Sequence, residues 1–262
     1  MITSLQNPLV KRLRQLQRRK ARQEQGVCLI EGTHLLEVAA QSGVPCELIC
    51  FTEAWQSTHD ALLRDFIQAE IKRVLVSEPV LASIASTKTP DGVIAIAPPI
   101  VGDVFCSDFN LGIALERIQD PGNVGTLLRT ARATESQVWL SENCADLNSP
   151  KVMRASAGEC FRVPIAANVD LPAAIADAQT QGIQVLGTRM DGERIYWDAD
   201  LTQPTLFVLG NEGGGLSAEI SELVTDSVRI PLAGQVESLN VAIAGAILLF
   251  EAQRQRTINS GQ

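Results

Sequence analysis

The sequence predicts an α/β protein in which short strands alternate with helices. Two observations support this fold class. Short apolar runs recur along the chain, and segments with helical periodicity separate them. The alternation is most regular in the second half, where it predicts a parallel sheet covered by helices on both faces.

In the first part of the chain, the pattern predicts a smaller α/β domain. Its predicted strands are 27–30, 47–51, 71–76 and 92–97, and its predicted helices are 33–41, 54–70 and 79–85. Pro98 and Pro99 end the last of these strands. Residues 100–110 read as a linker, so we expect a boundary near 101–107 that separates domain 1–100 from domain 107–262.

The second domain is predicted from a longer series of alternating elements. Its predicted strands are 111–118, 137–140, 161–165, 183–186, 205–209 and 228–231, and its predicted helices are 126–134, 150–157, 172–180, 217–224 and 239–254. Ligands of open parallel sheets bind beyond the carboxyl ends of the strands. This rule directs attention to three loops, 119–125, 210–215 and 232–238.

Composition limits the kinds of site that the chain can form. Aromatic residues make up only 4% of the chain, so aliphatic side chains must supply most of the core. The six cysteines contain no CxxC pair, and the two histidines, His34 and His59, have no neighbouring ligand candidates. We therefore expect buried thiols, no metal site and no Ser-His-Asp triad.

The apolar segments are too short for targeting or membrane insertion. Residues 1–19 lack the apolar core of a secretory signal. The longest apolar stretch, 241–250, is well short of the roughly 18–20 residues that a membrane-spanning helix needs. We expect a soluble, cytoplasmic protein.

Charge is distributed unevenly along the chain. The net charge is −8, yet the N-terminal arm, residues 11–22, is strongly basic. A basic arm on an acidic body is typical of a protein that binds a phosphate backbone, although a solvated basic helix has the same composition. The residues of the arm that are candidates for contacts with a nucleic-acid backbone are Lys11, Arg12, Arg18, Arg19 and Arg22.

The loop 119–125 reads QDPGNVG and leads into a helix that contains Arg129. Pro121 and Gly122 favour a turn at its start. Arg129 follows Asn123 by six residues, so we expect both side chains to reach one pocket. Asp-Pro-Gly-Asn is also an ordinary turn sequence, and this loop alone leaves a plain surface role for Arg129 open.

The loop after the strand 205–209 reads GNEGGGLS. Glycines at a strand end let backbone amides approach a ligand closely, and Ser217 is expected to cap the next helix. Glu212 is an acid that a simple glycine turn does not require. The spacing matches neither the phosphate-binding GxxxxGK[ST] loop nor the GxGxxG dinucleotide fingerprint.

The third segment, 230–242, reads IPLAGQVESLNVA and leads into an apolar helix. Ser238 fits a helix N-cap, which is an ordinary structural role. Asn240 is a poor helix former at the start of an apolar helix, where its amide needs hydrogen-bond partners. The small residues of 241–250 would let another helix pack closely, including one from a second subunit.

Together the three segments resemble the signature of the SpoU branch of the SPOUT methyltransferases. That signature reads DPxNxGxxxRTA, GNEGxGLS and IPMxGxxxSLNVS, and the chain matches every fixed position of the first two. In the third, Leu232 stands where methionine is usual and Ala242 where serine is usual, and the polar positions are kept. The N-terminal part resembles the ribosomal-protein-like substrate-binding domain of rRNA ribose methyltransferases at Asn7-Pro8, Lys11, Ile30-Glu31-Gly32, Thr89-Pro90 and Gly92.

The resemblance implies a fold, a reaction and a set of site residues. The fold is a parallel-sheet SPOUT domain with a C-terminal trefoil knot, preceded by the smaller RNA-binding domain, in a homodimer. The reaction is transfer of a methyl group from S-adenosylmethionine to a ribose 2′-hydroxyl of RNA, with ribosomal RNA favoured. The implied catalytic residues are Asn123, Arg129, Glu212, Ser238 and Asn240. The implied cofactor-binding residues are Gly187, Leu209, Gly210, Ile230, Leu232 and Leu239.

The mechanism that the resemblance implies assigns different roles to the cation and the amides. A ribose hydroxyl is a weak nucleophile, and neither histidine lies in the three loops to act as a base. We expect Arg129 to stabilise developing alkoxide and to orient the adjacent phosphate, with Glu212 as its ion-pair partner. Asn123, Ser238 and Asn240 are expected to supply fixed hydrogen bonds for positioning. A guanidinium rarely loses its proton, but a general-base role for Arg129 stays open.

Other functions stay open on the sequence alone. The acceptor RNA could be transfer RNA, or the methylated atom could lie on a base. The chain could also be an RNA-binding module that has the fold without the activity, although every polar motif position is present. A nicotinamide oxidoreductase is a more remote alternative, because the dinucleotide fingerprint is missing.

Overall fold

The computed structural model describes residues 1–66, 71–102, 109–234 and 236–259, and the chain divides into two compact units. Unit 1 comprises Met1–Ile100 and Asp146–Arg162, and unit 2 comprises Val101–Ala145 and Val163–Gln262. Residues 146–162, which the sequence pattern grouped with the second domain, therefore cluster with the first unit. Most of the predicted boundary segment 101–107 lies outside the described residues. The functional division into an RNA-binding and a methyltransferase domain stays a prediction.

Unit 1 contains a mixed four-stranded sheet with the strand order β1-β4-β2-β3. The strands are β1 Cys28–Glu31, β2 Leu48–Phe51, β3 Lys72–Leu75 and β4 Val93–Ala97, so all four predicted strands are present. β4 is antiparallel to both neighbours, and β2 pairs with β3 in parallel. The helices of the unit are α1 Pro8–Gln15, α2 Arg19–Gln25, α3 Thr33–Gln41, α4 Glu53–Asp65, α5 Glu78–Ile84 and α7 Pro150–Ala155.

The basic arm forms α1 and α2, which are anchored by apolar side chains on one face. Val10, Leu13 and Leu16 are buried in the core of unit 1. On the outer face, four of the cations that are predicted to contact RNA are exposed, namely Lys11, Arg12, Arg18 and Arg19. These four side chains are available to a phosphate backbone.

Arg22 is different, because its side chain is only 5% exposed. Its guanidinium donates to the carbonyls of Leu16 and Gln17, at 2.9 Å each, and pairs with the carboxylate of Asp146. Through these contacts the buried Arg22 side chain stabilises the turn between α1 and α2. The Arg22 guanidinium is therefore engaged within the unit, which weighs against the prediction that it contacts RNA.

Glu31, at the end of β1, is a buried carboxylate that holds the loop after α5. It accepts hydrogen bonds from the backbone N–H and the hydroxyl of Ser86 and from the same two groups of Thr87. Arg154 lies 3.3 Å from its second oxygen. Burial alone would raise the pKa of Glu31, but the hydrogen bonds from Ser86 and Thr87 outweigh it and lower the pKa.

Unit 2 contains a seven-stranded sheet with the strand order β7-β6-β5-β10-β8-β11-β9. Every pair of neighbouring strands is parallel, which confirms the predicted parallel sheet. The strands are β5 Leu111–Leu115, β6 Gln137–Ser141, β7 Ile165–Val169, β8 Gln184–Thr188, β9 Arg194–Ile195, β10 Thr205–Leu209 and β11 Asp226–Arg229. The helices are α6 Pro121–Ala133, α8 Leu171–Thr180, α9 Ala218–Leu223 and α10 Val241–Asn259. The trefoil knot implied by the resemblance stays a prediction.

Several boundaries in the second half differ from the sequence prediction, and one strand, β9, was not predicted. α6 begins at Pro121 instead of residue 126, because the Asp120 carboxylate caps it by accepting from the N–H groups of Gly122 and Asn123. β7 begins at Ile165, where the predicted strand 161–165 ends, because Glu159–Phe161 form a turn of 3-10 helix. β9 has two residues, which is too short for a periodic pattern to reveal.

Five cysteines, Cys28, Cys46, Cys50, Cys144 and Cys160, are buried free thiols, and Cys106 lies outside the described residues. Burial raises the pKa of Cys28 to about 12, which suits a packing role and not a nucleophile. In the described ranges, no group of histidine, cysteine and acidic side chains is arranged to hold a metal ion. No helix within those ranges is long and apolar enough to cross a membrane.

The Glu31 contacts predict an acid-sensitive contribution to the stability of unit 1. Because the folded-state pKa of Glu31 is lowered, this contribution is present above its ordinary value of 4.5 and is lost as the pH falls below it. We expect Glu31→Gln to lower the free energy of unfolding by about 2 kcal/mol at pH 7, and the difference from wild type to shrink below pH 4.5. Urea titrations at several pH values measure this difference.

The matched control for this titration is Glu47→Gln, which changes an exposed carboxylate of the same unit. This variant should follow the wild-type curve at every pH. A Glu31→Gln defect of constant size from pH 7 down to pH 3 would contradict the role assigned to the Glu31 charge.

Candidate active site

The glycine loop, residues 210–217, follows β10 and folds tightly back on itself. A Cβ atom at Gly210 would lie 2.1 Å from the carbonyl carbon of Gly215, so no other residue fits this position. Asn211 shapes the turn: its carbonyl accepts from the Gly215 N–H at 2.8 Å, and its side-chain oxygen accepts from the Gly213 N–H at 2.9 Å. The loop therefore presents backbone groups and Glu212 at the carboxyl end of the sheet.

Three side chains from the three predicted segments meet beside this loop. The Asn123 side-chain nitrogen donates to the carboxylate of Glu212. The Asn123 side-chain oxygen accepts from the Asn240 side-chain nitrogen at 3.0 Å. We call Asn123, Glu212 and Asn240 the amide–carboxylate cluster. Its members come from the first turn of α6, the glycine loop and the residue before α10.

Asn240, and not Ser238, is the N-cap of α10. Its side-chain oxygen accepts from the N–H groups of Ala242 at 2.9 Å and Ile243 at 3.3 Å. Both ends of the Asn240 amide are thus occupied, one by the helix and one by Asn123. Ser238 is exposed and makes no hydrogen bond with the described residues, so its hydroxyl is free for another partner.

Arg129 lies on α6 but outside the amide–carboxylate cluster. Its side chain is exposed, and it forms no hydrogen bond or ion pair with the parts of the chain that the structure describes. The predicted ion pair between Arg129 and Glu212 is therefore absent within these residues, and Glu212 accepts from Asn123 instead. Arg129 follows Asn123 by six residues, and in an α-helix this spacing rotates the side-chain direction by about 240°. The two side chains therefore point away from each other around the helix axis.

A cavity of about 950 Å³ opens next to the cluster. Five of the six predicted cofactor-binding residues line it, and these are Leu209, Gly210, Ile230, Leu232 and Leu239. Glu212 and Ser238 also face this space. Gly187 does not line the cavity, because it packs behind the wall, where a Cβ would lie 3.1 Å from Leu216 and from Val224.

The loop after β8, which none of the three predicted segments includes, contributes Arg189, Met190 and Asp191 to the cavity, next to Thr188 at the end of β8. Arg189 donates to Asp191 from two guanidinium nitrogens, Nε and Nη2, at 2.9 and 3.0 Å, and these hydrogen bonds lower the pKa of the Asp191 carboxyl. The rule that ligands bind at the carboxyl ends of parallel strands applies to β8 as well. Applying it to every strand would have found this loop.

The lining of the cavity suits an organic ligand with a positive charge. Its walls combine aliphatic side chains with the backbone of the glycine loop, as small-molecule sites commonly do. Among the described residues, one guanidinium lines it, that of Arg189, together with four carboxylates, those of Asp191, Glu212, Glu222 and Glu237. A ligand rich in phosphate would be repelled by this set, whereas a cation would be attracted.

Two family models match successive parts of the chain. The SpoU rRNA Methylase family matches residues 110–250, and the MRM3-like substrate binding domain matches residues 7–95. A Synechocystis protein named as an uncharacterized tRNA/rRNA methyltransferase is 46% identical over 260 residues, which cover 97% of this chain and 94% of the relative. The 23S rRNA (guanosine(2553)-2'-O)-methyltransferase RlmP of Bacillus subtilis is 30% identical over 251 residues, which cover 95% of this chain and 97% of the relative.

A solved structure agrees with these matches along the whole chain. The AdoMet-bound rRNA methyltransferase from Sinorhizobium meliloti has a TM-score of 0.83 and 31% sequence identity, and the match covers 97% of each chain. The similarity therefore extends over both units and over all three loops that form the site. The chain belongs to the SpoU rRNA methylase family.

Proposed function

We propose that the protein transfers a methyl group from S-adenosylmethionine to a ribose 2′-hydroxyl of ribosomal RNA in the cytoplasm. The observation that carries this proposal is the amide–carboxylate cluster, which stands at the edge of a cavity suited to a cationic organic ligand. Two of the relatives are named as rRNA methyltransferases and match the chain across both units. This full-length match favours ribosomal RNA over transfer RNA as the acceptor.

The cavity residues fit the cofactor. S-adenosylmethionine supplies an electrophilic methyl group on a positively charged sulfur. We assign Leu209, Ile230, Leu232 and Leu239 to the apolar walls that exclude water from it. Gly210 leaves room for backbone contacts, and the carboxylates around the rim offset the positive charge.

We assign the amide–carboxylate cluster to positioning of the acceptor ribose. Asn123 and Asn240 do not change charge with pH, and each uses both ends of its amide, so they hold Glu212 in a fixed orientation. One Glu212 oxygen is bound by Asn123, and the other accepts no hydrogen bond from the described residues. That oxygen and the Ser238 hydroxyl are placed to contact the ribose.

Arg129 is assigned an electrostatic role on the RNA. Its guanidinium is exposed and has no partner within the described residues, so it is available to a phosphate group next to the acceptor or to negative charge on the attacking oxygen. A guanidinium is a strong hydrogen-bond donor and a poor base, which favours this role over proton removal.

The proposal predicts label transfer that depends on Arg129. Ribosomal RNA incubated with the protein and S-adenosylmethionine labelled in the methyl group should acquire label at an alkali-resistant linkage, which marks a 2′-O-methyl ribose. We expect Arg129→Ala to lower the rate by roughly 100-fold or more while cofactor affinity, measured by calorimetry, stays unchanged. The matched control is Arg132→Ala, which removes an exposed arginine one turn along the same helix.

Each result of this assay points to one conclusion. Label at an alkali-labile position would indicate methylation of a base. Label on transfer RNA alone would identify transfer RNA, and not ribosomal RNA, as the acceptor. Cofactor binding without any methyl transfer would favour an RNA-binding module. If Arg129→Ala and Arg132→Ala had equal rates, Arg129 would have no part in the reaction.

The basic arm supports the proposal that RNA is the substrate. Arg18 and Arg19 are exposed, so each should neutralise a phosphate group and release a counterion. We expect the double variant Arg18→Ala/Arg19→Ala to reduce the slope of log K against log salt by about two. The control is Lys72→Ala/Arg73→Ala, which removes two exposed cations from β3 of the same unit. Equal slopes for the two double variants would show that the arm is not part of the RNA-binding surface.

We also propose that the protein forms a homodimer through α10. Ile243 and Phe250 are 52% and 50% exposed, and they lie two turns apart on one face of this helix. Exposed apolar side chains at this spacing are typical of a helix face that another chain covers.

Substitution on this face should separate the subunits. We expect Phe250→Glu to convert a dimer into a monomer, as measured by size-exclusion chromatography with light scattering, because burying a carboxylate in an apolar interface is costly. Gln253→Glu, which introduces the same charge at an exposed position of α10, should leave the dimer intact. A wild-type protein that elutes with the mass of one chain at micromolar concentration would refute the dimer.

A further inference from the structure

We propose that Glu116 is a positioning residue that fastens the glycine loop and thereby places Glu212 and the cofactor-lining backbone. This inference rests on the proposed function, since the loop is assigned to cofactor and ribose binding. Glu116 directly follows β5 and belongs to none of the three motifs. Its side chain is only 8% exposed, although a carboxylate at this edge of a sheet would ordinarily face solvent.

The backbone of Glu116 holds the loop where it begins. Its N–H donates to the carbonyl of Leu209 at 2.9 Å. This hydrogen bond extends the pairing of β5 with β10 by one step, up to the last residue before Gly210. The start of the glycine loop is thus fixed to the centre of the sheet.

The carboxylate of Glu116 holds the loop where it ends. One oxygen accepts from the backbone N–H of Ser217 at 2.9 Å, and Ser217 caps α9. The other oxygen accepts from the guanidinium of Arg117 at 2.9 Å. One oxygen of the buried carboxylate thus accepts a backbone hydrogen bond and the other a charge-assisted one. These hydrogen bonds compensate for the hydration that the carboxylate loses on burial.

Arg117 supplies a third attachment between the two ends. Its carbonyl accepts from the side-chain nitrogen of Asn211 at 2.8 Å, and its N–H donates to the Ser141 hydroxyl at 2.9 Å. The residue has a φ of +54°, a left-handed conformation that is uncommon outside glycine. The Glu116 carboxylate binds the Arg117 guanidinium and the Ser141 hydroxyl binds the Arg117 backbone N–H, so both contacts favour this conformation.

These attachments matter because the loop between them is rich in glycine. Glycine loses more backbone freedom on ordering than any other residue, so three glycines beside Glu212 do not hold it in place by themselves. Glu212 is two residues after Gly210 and five before Ser217. Removing the Glu116 carboxylate would release the end of the loop at Ser217 and free Arg117 at the same time. The loop would then sample several conformations, and cofactor binding would have to select one of them.

The test compares three variants of Glu116 with one control. We expect Glu116→Ala to weaken binding of S-adenosylmethionine at least tenfold by calorimetry and to speed hydrogen exchange in the peptide that contains residues 210–217. Glu116→Gln keeps an acceptor for the Ser217 N–H and should restore most of the affinity. Glu116→Asp keeps the charge but is one methylene shorter. It should lose the Ser217 contact and bind like the alanine variant, so it serves as the test if Glu116→Ala does not fold.

The control for a general loss of stability is Glu31→Ala. Glu31 is also a buried carboxylate that accepts hydrogen bonds from a loop, but it lies in unit 1. Its removal should lower the unfolding temperature while the affinity for S-adenosylmethionine stays within twofold of wild type. An equal loss of affinity in Glu31→Ala and Glu116→Ala would mean that stability, and not loop positioning, sets cofactor binding.

Failure of this inference is distinguishable from failure of the proposed function. If wild type binds the cofactor and Glu116→Ala binds it equally well with unchanged exchange in the loop, Glu116 is not a positioning residue. If wild type does not bind the cofactor at all, the proposed function fails. The exchange measurement on the loop of the Glu116 variants still decides whether Glu116 fastens it.

Discussion

Asn123 makes the pair of contacts on which the candidate site depends. Its amide joins residues that are 89 and 117 positions away in the chain, donating to Glu212 and accepting from Asn240. A carboxylate at this position could not donate, and an apolar side chain could do neither. The N-cap at Asp120 accepts from the N–H groups of Gly122 and Asn123, so local contacts fix the backbone that carries the Asn123 side chain. The site therefore needs a side chain at this position that both donates and accepts a hydrogen bond, and the amide of Asn123 does so with two separate atoms.

Burial separates the acids that hold the structure from the acid that is available for chemistry. Glu31 and Glu116 are buried, every oxygen is bound by groups of the chain, and each holds a loop in one conformation. Glu212 lies at the cavity with one oxygen bound by Asn123 and the other open. A carboxylate whose hydrogen-bonding capacity is filled internally has none left for a substrate. The hydrogen bonds to each oxygen thus distinguish Glu31 and Glu116, whose oxygens are all bound, from Glu212, which keeps one oxygen open.

Much of the fold and part of the site could be predicted from the sequence, and the rest depends on contacts that no local pattern encodes. The alternating strands and helices could be predicted because burial imposes a repeating apolar pattern. The order of the strands in each sheet could not. Arg22 was assigned to RNA because a run of basic residues does not show which guanidinium turns inward to Asp146. Ser238 was preferred as the N-cap of α10 on residue type, whereas Asn240 has the geometry. The role of Glu116 could not be predicted, because one of its partners is the next residue and the other is about one hundred residues away, and no local pattern connects them.

The distribution of charge explains how one molecule can bind both a cationic cofactor and a polyanionic substrate. The cavity has four carboxylates and one guanidinium, and that guanidinium is already bound to Asp191. This lining attracts a sulfonium and repels phosphate groups, so the RNA backbone has to remain outside the cavity. The cations assigned to RNA, Arg129 in unit 2 and the exposed residues of the basic arm in unit 1, are all on the surface, where a guanidinium keeps its hydration until phosphate replaces it. Only an uncharged group of the substrate, such as a ribose hydroxyl, then approaches the carboxylate-lined cavity without electrostatic cost.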